Sequence, residues 1–166
     1  ITNSMGLAQA IQQRVVELAI DDPLTKKIHI KMSGCPNGCG RHHIANIGFY
    51  GAAMKFDQHQ VPAYIIMLGG QYDDGNVRMG QRLNVRVPSK RVPEAVERFV
   101  QHYQVHRHKD EVFNAFVDRV GTVAFEELIR DLALPVTFDD EHMSQFIDWN
   151  QNRVYKLERG EGECMA

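Results

Sequence analysis

Two cysteines separated by three residues, Cys35 and Cys39, are the side chains of this sequence best placed to do chemistry. They lie in a loop, residues 33–43, that is rich in glycine and also contains Pro36 and Asn37. Proline fixes one backbone angle, whereas glycine allows positive φ and close backbone approach. Such a loop can turn both thiols inward and aim backbone N–H groups at the sulfurs, which stabilises thiolate charge and tunes the potential of a bound cluster. The pattern therefore favours a metal-binding loop.

Zinc and an iron–sulfur cluster are the two metal groups that this loop could bind. Zinc would take Cys35 and Cys39 together with His42 or His43, as a structural or interaction module. Zinc sites usually draw their second ligand pair from a distant segment, and here the histidines follow at once. We therefore expect both histidines to be structural. A 4Fe–4S cube takes four thiolates, of which the loop supplies two.

The loop could also bind no metal at all. It could be a tight turn with two unpaired thiols, and a disulfide between Cys35 and Cys39 would be strained and exposed. Three cysteines do not make a disulfide framework in a chain of this size, which indicates a reducing compartment and predicts a cytoplasmic protein. The third, Cys164, lies in a tail rich in Gly and Glu, where we expect a surface thiol.

The apolar pattern predicts a helix before the loop and strands on both sides of it. Apolar residues recur at helical spacing over residues 4–20, and Asn3 or Ser4 can cap this helix. Alternating and continuous apolar runs predict strands at residues 28–32, 46–50, 63–68 and 85–87. The first of these strands runs directly into the cysteine loop. The third is almost entirely apolar, so we expect it to be buried on both faces.

Three helices are predicted in the second half of the chain. Pro93 fits the first turn of one helix, and Asp110 and Thr122 are candidate caps for the next two. Gly121 is placed to end the second, the third should end near Pro135, and residues 143–149 predict a further short helix. Helix, strands and then helices predict an α/β fold, a single compact domain with a mixed sheet and helices packed on its faces.

The composition excludes several classes of function. The formal net charge of −2 gives no reason to expect a nucleic-acid partner. No apolar run approaches the roughly 18 residues of a membrane span. The chain opens at Ile1 without an initiator Met, which predicts a piece of a longer protein.

The stretch from Ser33 to Arg41, followed by Ile47-Gly-Phe-Tyr-Gly51, resembles the second cysteine signature of the sirohaem-dependent nitrite and sulfite reductases. The likeness continues in a strand ending Leu-Gly-Gly, in a late helix and in the tail, at residues 64–70, 113–121 and 162–164. It thins after about residue 134. We therefore divide the chain into residues 1–134, the C-terminal half of the 4Fe–4S/sirohaem domain, and a C-terminal extension, residues 135–166, that packs on it.

The resemblance implies a role for individual loop residues. Cys35 would be a cluster ligand, and Cys39 would be shared between the 4Fe–4S cluster and the sirohaem iron as its axial thiolate. Asn37, Gly38 and Arg41 would lie against the sirohaem or its carboxylates. The family's first motif, Cys-x5-Cys, does not occur here, although residues 1–4 resemble those that immediately follow it.

The family activity implied is the six-electron reduction of nitrite to ammonia or of sulfite to sulfide. Electrons would come from ferredoxin or a flavoprotein. We expect this chain alone to be inactive and to lack a stable cluster, and we expect the face that meets its missing N-terminal part to promote self-association. The rival to an enzyme is a redox-inactive binding domain with ordinary surface thiols.

Overall fold

The structure, a computed structural model, describes residues 1–73 and 75–157. Its strands are β1 (Ile30–Ser33), β2 (Ile47–Phe56), β3 (His59–Leu68), β4 (Gln71–Asp73), β5 (Asn76–Arg78) and β6 (Gln81–Pro88). Four of them form one sheet in the order β1–β2–β3–β6, and β4 pairs with β5 in a separate hairpin. The polar segment after β3, for which the sequence predicts no strand before residue 85, therefore contains a hairpin and the first half of β6.

The sheet is mixed because its edge strand β1 runs parallel to β2, whereas the other pairs are antiparallel. The pairing of β2 with β3 extends from Ile47 opposite Leu68 to Phe56 opposite His59. The two predicted strands are thus the half of a longer hairpin that lies away from its turn. The half next to the turn was not predicted because it packs against Phe146, which is distant in sequence, and local periodicity does not show such packing. The end of β3 is buried on both faces, as predicted.

Four α-helices are present in the described residues: α1 (Ser4–Glu17), α2 (Val92–His106), α3 (Phe113–Val120) and α4 (Thr122–Leu128). Asn3 caps α1, because its side-chain oxygen accepts the backbone N–H of Gly6 at 2.9 Å. In this part of the chain no helix has the length and apolar character needed to cross a bilayer.

The caps predicted for the later helices are wrong, and two of the helices are shorter than predicted. No side chain caps α3, which begins after Val112, while Asp110 has a positive φ of 61° in the preceding turn. Thr122 is the first helical residue of α4 rather than its cap. Helix α4 ends at Leu128 and is followed by a 3₁₀ turn at Asp131–Ala133, and the predicted helix at 143–149 is a 3₁₀ turn at Met143–Phe146.

The core lies between one face of the sheet and the helices. Alternate residues of β2 and β3 share that face and are fully buried: Ile47, Phe49, Tyr64, Ile66 and Leu68. They join a cluster that includes Leu7 of α1, Phe99 of α2, Phe116 of α3 and Phe125 of α4. The α/β fold with a mixed sheet and packed helices is therefore confirmed. The packed sheet forms a rigid platform, and the cysteine loop begins where its edge strand β1 ends.

Candidate metal centre

The cysteine loop connects the edge strand β1 to its parallel neighbour β2. It leaves β1 at Ser33 and returns through a 3₁₀ turn, His42–Ile44, before β2 begins. Neither Cys35 nor Cys39 is in a disulfide, and Cys35 is half-buried whereas Cys39 is exposed. The strained disulfide considered from the sequence is therefore not formed. Because the loop lies at a sheet edge, its two thiols are accessible to a group outside these residues.

Two glycines of the loop are required by close packing and by backbone angle. A Cβ atom on Gly40 would lie 1.8 Å from the carbonyl oxygen of Met32, so no other residue fits there without moving the backbone. Gly38 has φ +79°, a region that side chains with a Cβ rarely adopt, and its Cα faces the ring of His43. The loop is thus folded back against the strand that precedes it.

Ser33 ties the two ends of the loop together. Its hydroxyl oxygen accepts the backbone N–H of Gly40 at 3.0 Å and lies 2.8 Å from Nδ1 of His42. Ser33 precedes both cysteines and Gly40 follows them, so this network closes the loop at its base. The role of Ser33 does not follow from the cysteine spacing. A small hydroxyl residue at the end of a strand is the signal that could have suggested a cap for the loop.

His42 is buried, and its ring packs against two other rings. It is fully buried, and its ring centroid lies 3.9 Å from that of His43 and 4.9 Å from that of Tyr50. Burial lowers the pKa of His42 to about 4, and the neighbouring His43 acts in the same direction. His42 is therefore neutral at neutral pH. Its Nε2 atom is buried without a hydrogen-bond partner among the described residues.

The geometry does not support the zinc alternative. Within residues 1–73 and 75–157 no group of three or more His, Cys, Asp or Glu side chains is arranged to hold a metal ion. Nδ1 of His42 is already in contact with the Ser33 hydroxyl oxygen, at 2.8 Å. Two free thiols on a glycine-rich loop match the ligands of an iron–sulfur cluster, which binds thiolates. The loop would supply two of the four thiolates that a 4Fe–4S cluster takes. Cys164 lies outside the described residues.

The remaining predicted site residues lie on the solvent side of the loop. Asn37 and Arg41 are exposed, and Gly38 is half-buried. Arg41 has a left-handed backbone, with φ 55°, and its N–H donates to the carbonyl oxygen of Gly38 at 2.7 Å. This turn brings the Arg41 backbone next to the segment between the two cysteines. Its guanidinium is thus a positive charge close in sequence to Cys39.

The N-terminal segment also contacts the loop, which the sequence analysis missed. Thr2 donates to the carbonyl oxygen of Gly34 through its backbone nitrogen at 3.0 Å and through its hydroxyl at 3.3 Å. Gly34 is the residue immediately before Cys35. Residues before α1 therefore fix the position of the first cysteine.

A cavity of about 470 Å³ lies away from the cysteines. It is found where the chain enters β1, and Lys26, His29, Asn46 and Asn114 are among the residues that line it. The loop leaves β1 at the other end of the strand. The cavity is therefore not part of the candidate metal centre.

Comparison with known proteins identifies relatives of the chain. It is 31% identical over 132 residues to the sulfite reductase (NADPH) hemoprotein beta-component of Chromohalobacter salexigens, covering 72% of the chain and 21% of the relative. Its counterpart in Bordetella petrii is 38% identical over 100 residues, covering 58% of the chain and 15% of the relative. The chain thus spans about a fifth of the length of the curated relatives that it matches.

A solved structure and a family model agree with these relatives. The structure of the Mycobacterium tuberculosis NirA protein matches with a TM-score of 0.60 and 27% identity, covering 72% of the chain and 22% of NirA. Residues 1–137 match the family described as the nitrite and sulphite reductase 4Fe-4S domain. This match covers the cysteine loop, the whole sheet and all four helices. The chain therefore belongs to the nitrite and sulphite reductase 4Fe-4S domain family.

Proposed function

We propose that Cys35 and Cys39 provide half of the ligands of a 4Fe–4S cluster, and that Cys39 is also the axial ligand of a sirohaem. The observation that carries this proposal is the pair of free thiols on a loop closed at its base by Ser33, in a domain of this family. The difference in exposure supports the division of roles. The exposed Cys39 is open to a second group, whereas Cys35 is half-buried against the domain.

The protein that contains this chain would reduce nitrite to ammonia or sulfite to sulfide. When bound, the cluster and the sirohaem would supply the storage and delivery of single electrons to the bound anion. The residues described here would hold the thiolates, keep the loop closed through Ser33 and place the positive charge of Arg41 near Cys39. We propose that Arg41, Asn37 and Gly38 contact the sirohaem and its carboxylates. The electron donor would be ferredoxin or a flavoprotein, and the site of action the cytoplasm.

The 166-residue chain alone should be inactive and should not keep a stable cluster. The sequence contains three cysteines, and a 4Fe–4S cube takes four thiolates. We expect its fold not to depend on a metal, because a large apolar cluster is buried between the sheet and the helices. We therefore expect the chain to fold in the absence of iron while the remaining ligands come from elsewhere in the protein.

The proposal is tested by replacing each cysteine in the full-length protein that contains this chain. Cys39→Ser should abolish binding of both sirohaem and cluster, and Cys35→Ser should abolish the cluster. Cys164→Ser is the matched control and should leave iron, sulfide and sirohaem contents unchanged. The contents are measured by metal analysis and by the absorption of the extracted sirohaem. A Cys39→Ser protein with full iron, sirohaem and reductase activity would refute the proposal.

A further inference from the structure

The described part of the C-terminal extension, residues 135–157, packs against the N-terminal segment of the chain. From residue 138 onward it lies outside the family match, so the family domain does not account for it. The hydroxyl of Tyr155 donates to the carbonyl oxygen of Ile1 at 3.0 Å, and the N–H of Leu157 donates to the side-chain oxygen of Gln60 at 2.6 Å. The first contact joins residues 154 positions apart in sequence, and the second holds the extension against β3.

Asp148 is the centre of this contact. Its side chain is almost completely buried, with 5% exposed, and one carboxylate oxygen accepts the backbone N–H of Asn3 at 2.6 Å. The other oxygen accepts the N–H of Trp149 at 2.8 Å and the hydroxyl of Ser89 at 3.3 Å. A buried carboxylate is costly unless donors surround it, and hydrogen bonds to a charged acceptor are the strong ones. The arrangement is therefore a built contact and not an incidental surface one.

Trp149 adds a second connection to the same segment. Its carbonyl oxygen accepts the side-chain amide of Asn3 at 2.9 Å, and Nζ of Lys90 lies 3.9 Å from the centroid of its ring. Its Cβ packs so tightly on Gly6 of α1 that a Cβ on Gly6 would lie 2.3 Å from it. Asn3 is thus held by the extension at both its backbone and its side chain.

The position of the N-terminal segment influences the position of Cys35. Thr2, the neighbour of Asn3, donates two hydrogen bonds to the carbonyl oxygen of Gly34. Gly34 is bonded directly to Cys35. A continuous path of short contacts therefore runs from Asp148 through Asn3 and Thr2 to Cys35.

We infer that Asp148 is a positioning residue, which holds the N-terminal segment against the loop and so fixes where the Cys35 sulfur lies. The inference rests on the proposed function for its biological meaning, since a cluster ligand must be held in place before the cluster binds. The C-terminal extension, through Asp148, then stabilises the position of the metal centre. Asp148 lies outside both the cysteine signature and the family match.

The first test measures the reactivity of each thiol in this chain. Native chain is treated with iodoacetamide, and tandem mass spectrometry separates modification of Cys35 from that of Cys39. A side-chain amide has one acceptor oxygen and one NH₂ donor, whereas a carboxylate has two acceptor oxygens. In Asp148→Asn the backbone N–H of either Asn3 or Trp149 therefore faces a donor and loses its hydrogen bond. We expect the alkylation rate of Cys35 to rise about tenfold, as for the loss of one hydrogen bond to a charged group, while that of the exposed Cys39 changes less than about twofold.

Two further variants make the result decisive. Glu141→Gln removes the same charge from an exposed position of the extension and should change neither rate. Thr2→Val removes the hydroxyl donor to Gly34 and should raise the Cys35 rate alone, by about threefold. If Asp148→Asn does not fold, Thr2→Val alone decides. Equal rises at both cysteines, or no rise at Cys35 in a folded variant, would overturn the inference.

The second test uses the full-length protein with its cofactors. Asp148→Asn should alter the electron paramagnetic resonance spectrum and the midpoint potential of the reduced cluster, and Glu141→Gln should leave both as in the unmodified protein. A spectrum and potential unchanged by Asp148→Asn would overturn the link to the cluster. If the unmodified protein contains no cluster, the proposed function fails, whereas the alkylation rates still decide whether the extension positions Cys35.

Discussion

The hydroxyl oxygen of Ser33 lies 2.8 Å from Nδ1 of His42, and this contact joins the last residue of β1 to the 3₁₀ turn that precedes β2. The same oxygen accepts the N–H of Gly40. Both cysteines lie between these anchor points. The geometry of the loop is therefore set by a polar network that consists of protein groups alone.

Removal of this hydroxyl should loosen the loop. Ser33→Ala leaves the buried Nδ1 of His42 and the N–H of Gly40 without their shared partner, which costs about 1 to 3 kcal/mol of the free energy of unfolding. Urea denaturation of the chain measures the loss. Ser144→Ala, at an exposed position, is the control and should change it by less than about 0.5 kcal/mol. Equal stabilities of the two variants would contradict the role given to Ser33.

The burial of neutral His42 predicts a dependence of stability on pH. The pKa of His42 is about 4 in the folded chain, lowered mainly by burial, against about 6.5 in the unfolded chain. Between these values the unfolded chain binds more protons, so stability is full above pH 6.5 and falls as the pH drops toward 4. The total loss from this residue is up to about 3 kcal/mol.

The contribution of His42 is isolated by comparing pH profiles of variants. His42→Asn keeps an acceptor near Ser33 but does not titrate, so its free energy of unfolding should fall less between pH 7 and pH 5 than that of the unmodified chain. Gln104→Asn, at an exposed position and with no titrating group, should follow the unmodified profile. Parallel profiles for all three proteins would show that His42 is not held neutral by burial.

The aromatic cluster between the helices should be the main source of stability for the platform under the loop. Phe125 is fully buried, and its ring centroid lies 5.2 Å from that of Phe99 and 5.9 Å from that of Phe116. Phe125→Ala should cost about 3 to 5 kcal/mol of the free energy of unfolding. Val123→Ala, on the exposed side of the same helix, should cost less than about 0.5 kcal/mol, and a similar cost at both positions would contradict this packing.

Replacing two different glycines by alanine distinguishes the effect of a steric clash from that of backbone strain. Gly40→Ala places a methyl group against the carbonyl oxygen of Met32, so the loop must move and both cysteines should become more reactive toward iodoacetamide. Gly75→Ala has open space around it but a positive φ of 83°, and should cost only about 1 to 2 kcal/mol of strain. Unchanged thiol reactivity in Gly40→Ala would show that the loop is not packed as described.

The sequence predicts this molecule well wherever local pattern decides the structure. The apolar face of α2, residues Val96, Phe99, Val100 and Tyr103, is buried as its spacing predicts. The family was identified from the cysteine signature and its flanks and is confirmed by the match over residues 1–137. Helix propensity and short motifs are properties of neighbouring residues, so they can be read without knowledge of the fold.

Features that depend on distant contacts were missed. Asp110 has the residue type of a helix cap, but the turn is instead organised by Glu111, whose carboxylate accepts from Arg119 and from the N–H of His108. The pairing of Asp148 with Asn3 joins residues 145 positions apart, and no periodicity reveals it. The roles of Cys35 and Cys39 stay predictions, because they concern groups outside these residues.

The central claim, that Cys39 connects the cluster to the sirohaem, is tested most directly by Mössbauer spectroscopy of the full-length protein enriched in the Mössbauer isotope of iron. We predict magnetic coupling between the sirohaem iron and the 4Fe–4S cluster, and its complete loss in Cys39→Ser but not in Cys164→Ser. Coupling that persists in Cys39→Ser, or iron spectra without a cluster in the unmodified protein, would contradict it.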